Sequence, residues 1–176
     1  MATHSLTVRL ATPADAATLA DLGRRAFVAK FGHLYRPEDL AAFLDGSHTE
    51  QKLHAELTDP GMVTAVVEDG PGRLLGFCKL RLESSLPRVT DAAHPLELKQ
   101  LYGDPDVLGQ GLGARLMDWA LGEARRRGAD EVQLSVWSEN PGAQRFYGRY
   151  GFVKVGEVDF MVGEQRDEDW LFALKL

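Results

Sequence analysis

Apolar and polar positions along the chain switch between two periods, and the switches mark its elements. Residues 6–10 alternate and predict a short strand. Thr12-Pro13-Ala14-Asp15 then carries a helix start: a hydroxyl cap, proline at the first helical position and an acid three residues after the cap. That helix is expected to run to about Phe27, with Ala16, Leu19, Leu22 and Ala26 on one face. Residues 37–44 and 49–57 predict two more short helices, the second closed by Asp59-Pro60-Gly61. Strands are expected at 62–68 and 73–83 around the turn Asp69-Gly70-Pro71-Gly72, with a shorter one at 96–102. Residues 112–127 form the clearest helix. Leu112, Leu116, Ala120 and Ala124 recur every four positions, and Arg125, Arg126 and Arg127 before Gly128 suit its C-terminal dipole and cap. A strand at 131–137, a helix at 141–149 and a closing strand pair at 152–162 and 169–175 complete the chain. In outline the order is β-α-α-β-β-β-α-β-α-β-β. This fits the α/β class, one mixed central β-sheet with helices on both faces.

Length adds that residues 1–176 suit a single domain. With 44% apolar and 26% charged residues, the composition excludes a disordered or fibrous chain. A formal charge of −6 argues against nucleic acid or an anionic membrane as partner and suits a cationic small molecule. One cysteine, Cys78, leaves no internal disulfide to form; within the apolar run 74–82 it reads as an inert buried thiol. No stretch reaches the roughly 18 apolar residues of a membrane span. The start Met1-Ala2-Thr3-His4-Ser5-Leu6 lacks the basic and apolar regions of a signal peptide, so the cytoplasm is the expected location. His4, His33, His48, His54 and His94 are scattered, and no metal is expected.

The segment most informative about chemistry is Leu101-Tyr102-Gly103-Asp104-Pro105-Asp106-Val107-Leu108-Gly109-Gln110-Gly111-Leu112-Gly113-Ala114. A strand ends, a glycine-rich turn follows and a long amphipathic helix begins. Helix starts leave N–H groups unpaired and carry partial positive charge, and glycines let an anion approach the backbone. The same turn also reads as a glycine-rich connection with no ligand. Two phosphate motifs are excluded. Ala114-Arg115 stands where a P-loop needs Lys-Ser or Lys-Thr. The third glycine comes one residue early for a dinucleotide fingerprint, and Glu131 begins its strand, whereas a ribose-binding acid ends one.

These residues resemble the acetyl-CoA-binding signature of the GNAT N-acetyltransferases, Gln/Arg-x-x-Gly-x-Gly/Ala. Gly111 and Gly113 match it, and Leu108 departs from it at the Gln/Arg position. Leu134-Ser135-Val136-Trp137-Ser138-Glu139-Asn140, with Ala143, Phe146, Tyr147 and Gly151-Phe152, resembles the family's second signature. The likeness extends to Arg9-Leu10-Ala11-Thr12-Pro13-Ala14-Asp15 and Leu75-Gly76-Phe77, and so covers almost the whole chain. Residues 31–40 with Glu97-Leu98-Lys99-Gln100-Leu101-Tyr102 are similar to family members acting on polyamines or small amines.

The resemblance implies a GNAT-like fold and an acyltransferase that moves acetyl from acetyl-CoA to an amine by direct attack in a ternary complex. Pyrophosphate is expected on the backbone N–H groups of Gly109, Gln110, Gly111, Leu112, Gly113 and Ala114. Leu108 removes one side-chain contact and leaves that backbone cradle. Pantetheine is expected along Leu101, Tyr102 and Gly103, with an N–H near Tyr102 polarising the thioester carbonyl. Asn140 is implied beside the cofactor arm and reads equally as the cap of the helix it precedes. An acceptor amine has a free pKa near 10 and must lose a proton before attack. Glu97 is the implied general base; the alternative is a strand carboxylate facing solvent. Tyr147 is the implied general acid for the leaving thiolate; the alternative is an aromatic packed with Phe146 and Tyr150.

A small-molecule amine is the expected partner, polyamine-like acceptors included, and homodimers are common in the family. Two other readings stay open: an acetyl-CoA-sensing domain without catalysis, and a modifier of protein N-termini or lysines. Family acceptor pockets place residues 27–44 and 163–169 beside the acceptor. They carry Glu38 and Asp39 in one segment, and Glu164, Asp167, Glu168 and Asp169 in the other.

Overall fold

A computed structural model describes residues 5–70, 72–107 and 109–176. Met1 to His4, the turn residue Pro71 and the signature position Leu108 lie outside the described residues. In chain order the elements are β1 (Thr7–Leu10), α1 (Ala16–Phe31), α2 (Pro37–Ser47), α3 (Glu50–Leu57), β2 (Met62–Glu68), β3 (Leu74–Arg81), β4 (Pro95–Gly103), α4 (Leu112–Arg126), β5 (Glu131–Trp137), α5 (Pro141–Arg149), β6 (Val153–Val162) and β7 (Gln165–Lys175). Three α-helices separate β1 from β2, one more than the outline order counts.

All seven strands form one sheet in the order β1-β2-β3-β4-β5-β7-β6. Among the described residues only β4 and β5 run parallel. Parallel neighbours need a long crossover, and α4 supplies it. One face of the sheet carries α4, whose buried Leu116, Met117, Ala120 and Ala124 pack on Ala65, Cys78, Leu80, Leu96 and Leu98. On the other face Ala16, Leu19 and Leu22 of α1, with Leu53 of α3, cover Val66 and Phe77. Fully burying one such leucine is worth roughly 1.5–3 kcal/mol. Cys78 has no exposed surface, and burial pushes its thiol up to about 12.

Boundaries depart from the expected ones where long-range packing takes over. Residues 13–15 wind as a short 3-10 turn, and α1 starts after them. It then runs four residues past Phe27, because Phe27 and Phe31 join Tyr35, Phe43, Leu44 and Phe160 in a third apolar cluster. The last strand starts at Gln165, four residues before Asp169. Residues 165–168 have no apolar alternation, but β6 pairs them residue for residue, from Val162 with Gln165 to Asp159 with Glu168. The β6–β7 turn docks on α2. Glu164 N–H donates to Asp39 Oδ1 at 2.9 Å, and a Cβ at Gly163 would lie 2.5 Å from the Asp39 backbone.

Candidate active site

The ladder between β4 and β5 holds three pairs, ending at Glu97 opposite Gln133. Beyond that apex residues 98–103 and 134–137 diverge. The cause is local to β4. Lys79 faces Gln100 and Leu80 faces Leu98, so Lys99 is an extra residue in a bulge. Bulges bend a strand and sharpen its twist, which turns the second half of β4 away from β5. Its edge toward β5 is left with backbone N–H and C=O groups that no strand pairs. Such groups take a partner, and an extended amide-bearing ligand can fill the gap as an added strand.

At the end of β4 the glycine turn is held by a residue the sequence reading left without a role. Asp104 has no exposed surface and accepts from Arg25 at 3.1 Å, Arg73 at 2.9 Å and the Asp106 N–H at 2.9 Å. The signal for it was an aspartate opening an Asp-Pro-Asp turn, where its side chain bonds the backbone two residues on. Gly109 and Gly111 both take positive φ, +79° and +71°, and a Cβ on either would meet nothing within 4 Å. Gly111 caps α4, and the Arg115 N–H closes on its carbonyl at 3.1 Å. The N–H groups of Leu112, Gly113 and Ala114 therefore have no acceptor within the helix. An open left-handed turn with free donors fits a phosphate-bearing group. Gly113 serves packing: its Cβ would lie 3.4 Å from the Phe146 ring, so α4 and α5 approach closely there.

Helix α5 packs Tyr147 against the α4-side core, close enough to Tyr102 of β4 for the two phenols to interact. Asn140 Oδ1 accepts from the Ala143 N–H at 3.2 Å, so the cap reading of Asn140 holds. Tyr147 packs edge-on against Phe146 and Phe152, and its hydroxyl is pushed up to about 12 by burial. Tyr102, on β4, is raised above the ordinary phenol range by burial and by the neighbouring Tyr147. Leu101 packs toward α4 and Tyr102 toward α1. Gly103 and Gln110 are exposed, as is Arg115.

Glu97 sits at the apex, 5% exposed, so the solvent-facing alternative does not hold. Its Oε1 accepts from the Ser85 N–H at 2.9 Å and the Ser85 hydroxyl at 2.8 Å; Oε2 lies 3.7 Å from Lys99 Nζ. Across the α1 face, Phe31 meets Trp137 edge-on at 6.0 Å. The segments 27–44 and 163–169 do come together. Tyr35 donates to Asp167 at 2.5 Å, and Asp39 receives the β6–β7 turn, while Glu38, Glu164 and Glu168 stay exposed. Two further groups here are buried: His48, which no sequence pattern singled out, and Asp169, one of the acids in the segment 163–169. His48, 1% exposed among Phe27, Phe43 and Tyr102, is lowered to about 4 by burial and by the charges of Lys79 and Arg24. Asp169, 6% exposed, is raised to about 6 chiefly by burial, with Asp167 adding to it.

Comparison with known proteins places this geometry. Residues 28–152 match the family model for the acetyltransferase (GNAT) family. An uncharacterized N-acetyltransferase of Mycobacterium bovis is 30% identical over 162 residues, 92% of this chain and 98% of that one. The aminoalkylphosphonate N-acetyltransferase of Salmonella typhimurium is 31% identical over 114 residues, 65% of this chain and 68% of that one. Among solved structures, the PaiA N-acetyltransferase of Thermoplasma acidophilum in complex with coenzyme A has the same fold. Its TM-score is 0.77 at 20% identity, over 98% of this chain and 99% of that one.

Proposed function

The chain belongs to the acetyltransferase (GNAT) family, and from that membership we propose that it transfers acetyl from acetyl-CoA to the primary amine of a small molecule. One observation carries the reading: the β4–β5 gap opens beside an open glycine turn at the start of α4, with Tyr147 close to Tyr102 of β4. When bound, acetyl-CoA supplies an activated thioester carbonyl and a thiol leaving group.

The residues divide the remaining work. Backbone donors of Gly109, Gln110, Gly111, Leu112, Gly113 and Ala114 would hold the pyrophosphate, needing no side chain from Leu108. Leu101, Tyr102 and Gly103 would bond the pantetheine amides through the free edge of β4, and an N–H near Tyr102 would face the thioester oxygen. Asn140, its Oδ1 engaged as the cap, keeps its NH₂ for the cofactor arm. Tyr147 holds its proton at working pH and gives it to the departing sulfur. The amine's proton passes to a carboxylate on the acceptor face, where Glu97 is the residue the sequence selects.

The test is thiol release from acetyl-CoA over a panel of amines that includes propylamine, a polyamine, a peptide N-terminus and a peptide lysine. Small amines should be acetylated. CoA binding without thiol release for any amine would favour the sensing reading, and turnover of peptides alone would favour the protein modifier.

A further inference from the structure

Among the described residues three buried carboxylates share the acceptor face of the sheet: Glu97, Glu131 and Asp169. Glu131 accepts from Thr90 and Gln133, and both oxygens of Glu97 already face protein donors, Ser85 and Lys99. Asp169 lies on β7, the strand that pairs β5 on the side away from the gap. It is the register partner of Trp137 on β5, so the two side chains share a face, the face on which Trp137 meets Phe31 of α1. Ser135 and Trp137 stand two and four residues past Gln133, the last β5 residue paired with β4. At about 3.3 Å per residue Ser135 lies roughly 7 Å and Trp137, with Asp169 opposite it, roughly 13 Å beyond the apex.

The surroundings of Asp169 are those of an anion awaiting a cation. It is 6% exposed, and no Lys, Arg or His among the described residues forms a salt bridge with it. The Ser135 hydroxyl is its polar neighbour. Asp167, held by the Tyr35 hydroxyl at 2.5 Å, adds a second negative charge. Trp137, and Phe31, over whose ring the Lys30 Nζ lies at 5.7 Å, supply aromatic surface, whose faces attract ammonium groups. A buried carboxylate left without a cation is costly, and a bound ammonium offsets that cost.

We propose that Asp169 binds the acceptor as its ammonium ion and takes the proton that the amine sheds before attack. This rests on the acetyl-transfer reading above. One ammonium N–H bond breaks and an O–H bond forms on the Asp169 carboxylate. The freed nitrogen lone pair then forms the C–N bond at the thioester carbon as the C–S bond breaks, and the sulfur takes the Tyr147 proton. The nitrogen, still carrying one proton too many for an amide, returns that proton to the Tyr147 phenolate, and Asp169 afterwards releases its own proton to water. The titratable groups facing Asp169 are Tyr35 and Asp167; on α1 the Lys30 ammonium, its pKa lowered by burial, lies over Phe31. The Tyr35 phenol stays protonated through neutral pH, because burial raises it. Asp169, raised to about 6, is then the group whose ionisation governs the acid side of the rate profile.

The experiment measures kcat/KM against pH for propylamine and the less basic 2-methoxyethylamine, in the wild type, Asp169→Asn and Glu97→Gln. The wild type should lose activity below about pH 6 at the same midpoint for both amines, since the group belongs to the protein. Asp169→Asn should lose that limb. It should fall at least about 100-fold at neutral pH and recover as the amine deprotonates unaided. Glu97→Gln should keep the limb. A limb that survives in Asp169→Asn, disappears in Glu97→Gln, or moves with the basicity of the amine overturns the assignment. The wild-type comparison decides even if Asp169→Asn does not fold. If neither amine is acetylated although CoA binds, the small-amine reading falls and this one with it. If both are acetylated and Asp169→Asn keeps the limb, only this one falls.

Discussion

Replacing Gly111 with alanine separates what the turn costs the fold from what it gives the ligand. Gly111 sits at φ +71° as the cap of α4, a conformation that costs an L-residue about 1–2 kcal/mol. Nothing lies within 4 Å of the new Cβ, so no clash adds to that figure. For a chain of this size the loss should lower Tm by roughly 2–8 °C. The methyl would enter the open space beside the turn, and the pyrophosphate is proposed to sit on the N–H groups of residues 112–114. Holding a phosphate off one charge-assisted hydrogen bond forfeits about 1.5–3 kcal/mol, which raises the Kd for CoA roughly 10- to 100-fold. Gly72→Ala is the control. It has φ +88°, equally open surroundings and a place in the β2–β3 connection, so it should show the same thermal loss with unchanged CoA affinity. Calorimetric titration of CoA and thermal melts on both variants give the two numbers. Equal CoA affinity in Gly111→Ala and Gly72→Ala would refute the cradle.

Tyr147→Phe keeps the ring against Phe146 and Phe152, so stability and CoA binding should hold while turnover falls roughly 10²–10⁴-fold in a thiol-release assay. The defect should shrink with an acyl donor whose thiol is more acidic, because a better leaving group needs less protonation. Glu97→Gln retains an oxygen for the Ser85 donors; it should fold normally and show in steady-state kinetics whether the apex carboxylate adds to turnover. Two buried groups should set opposed acid responses in urea denaturation. His48 is lowered to about 4, so the unfolded chain binds the extra proton and roughly 3 kcal/mol of stability is lost as pH falls from 6.5 to 4. Asp169 is raised to about 6, so the folded chain binds the extra proton and about 3 kcal/mol is lost as pH rises from 4 to 6. Asp169→Asn removes the second response, and its stability relative to the wild type should therefore improve as pH rises through that window.

Elements with local punctuation were legible in the sequence to the residue. Strands 62–68 and 131–137 and helix 141–149 begin and end where turn residues, caps and prolines say so, because those signals act on the backbone within a few positions. The glycine turn was legible for the same reason: positive φ at Gly109 and Gly111 is a property of glycine itself. Residues 165–168 were not, since a polar stretch becomes strand only when β6 offers it a ladder. Nor was the gap between β4 and β5, which follows from where a bulge at Lys99 falls against β3. The chemistry of the carboxylates lay furthest from reach. Glu97, Asp104, Asp167 and Asp169 are alike in sequence, one apex residue bonded to Ser85, one clamped by two arginines, one held by Tyr35 and one without a salt bridge among the described residues. Charge interactions act through space in a medium whose screening depends on burial, so only the tertiary structure, which sets distance and burial together, could tell them apart.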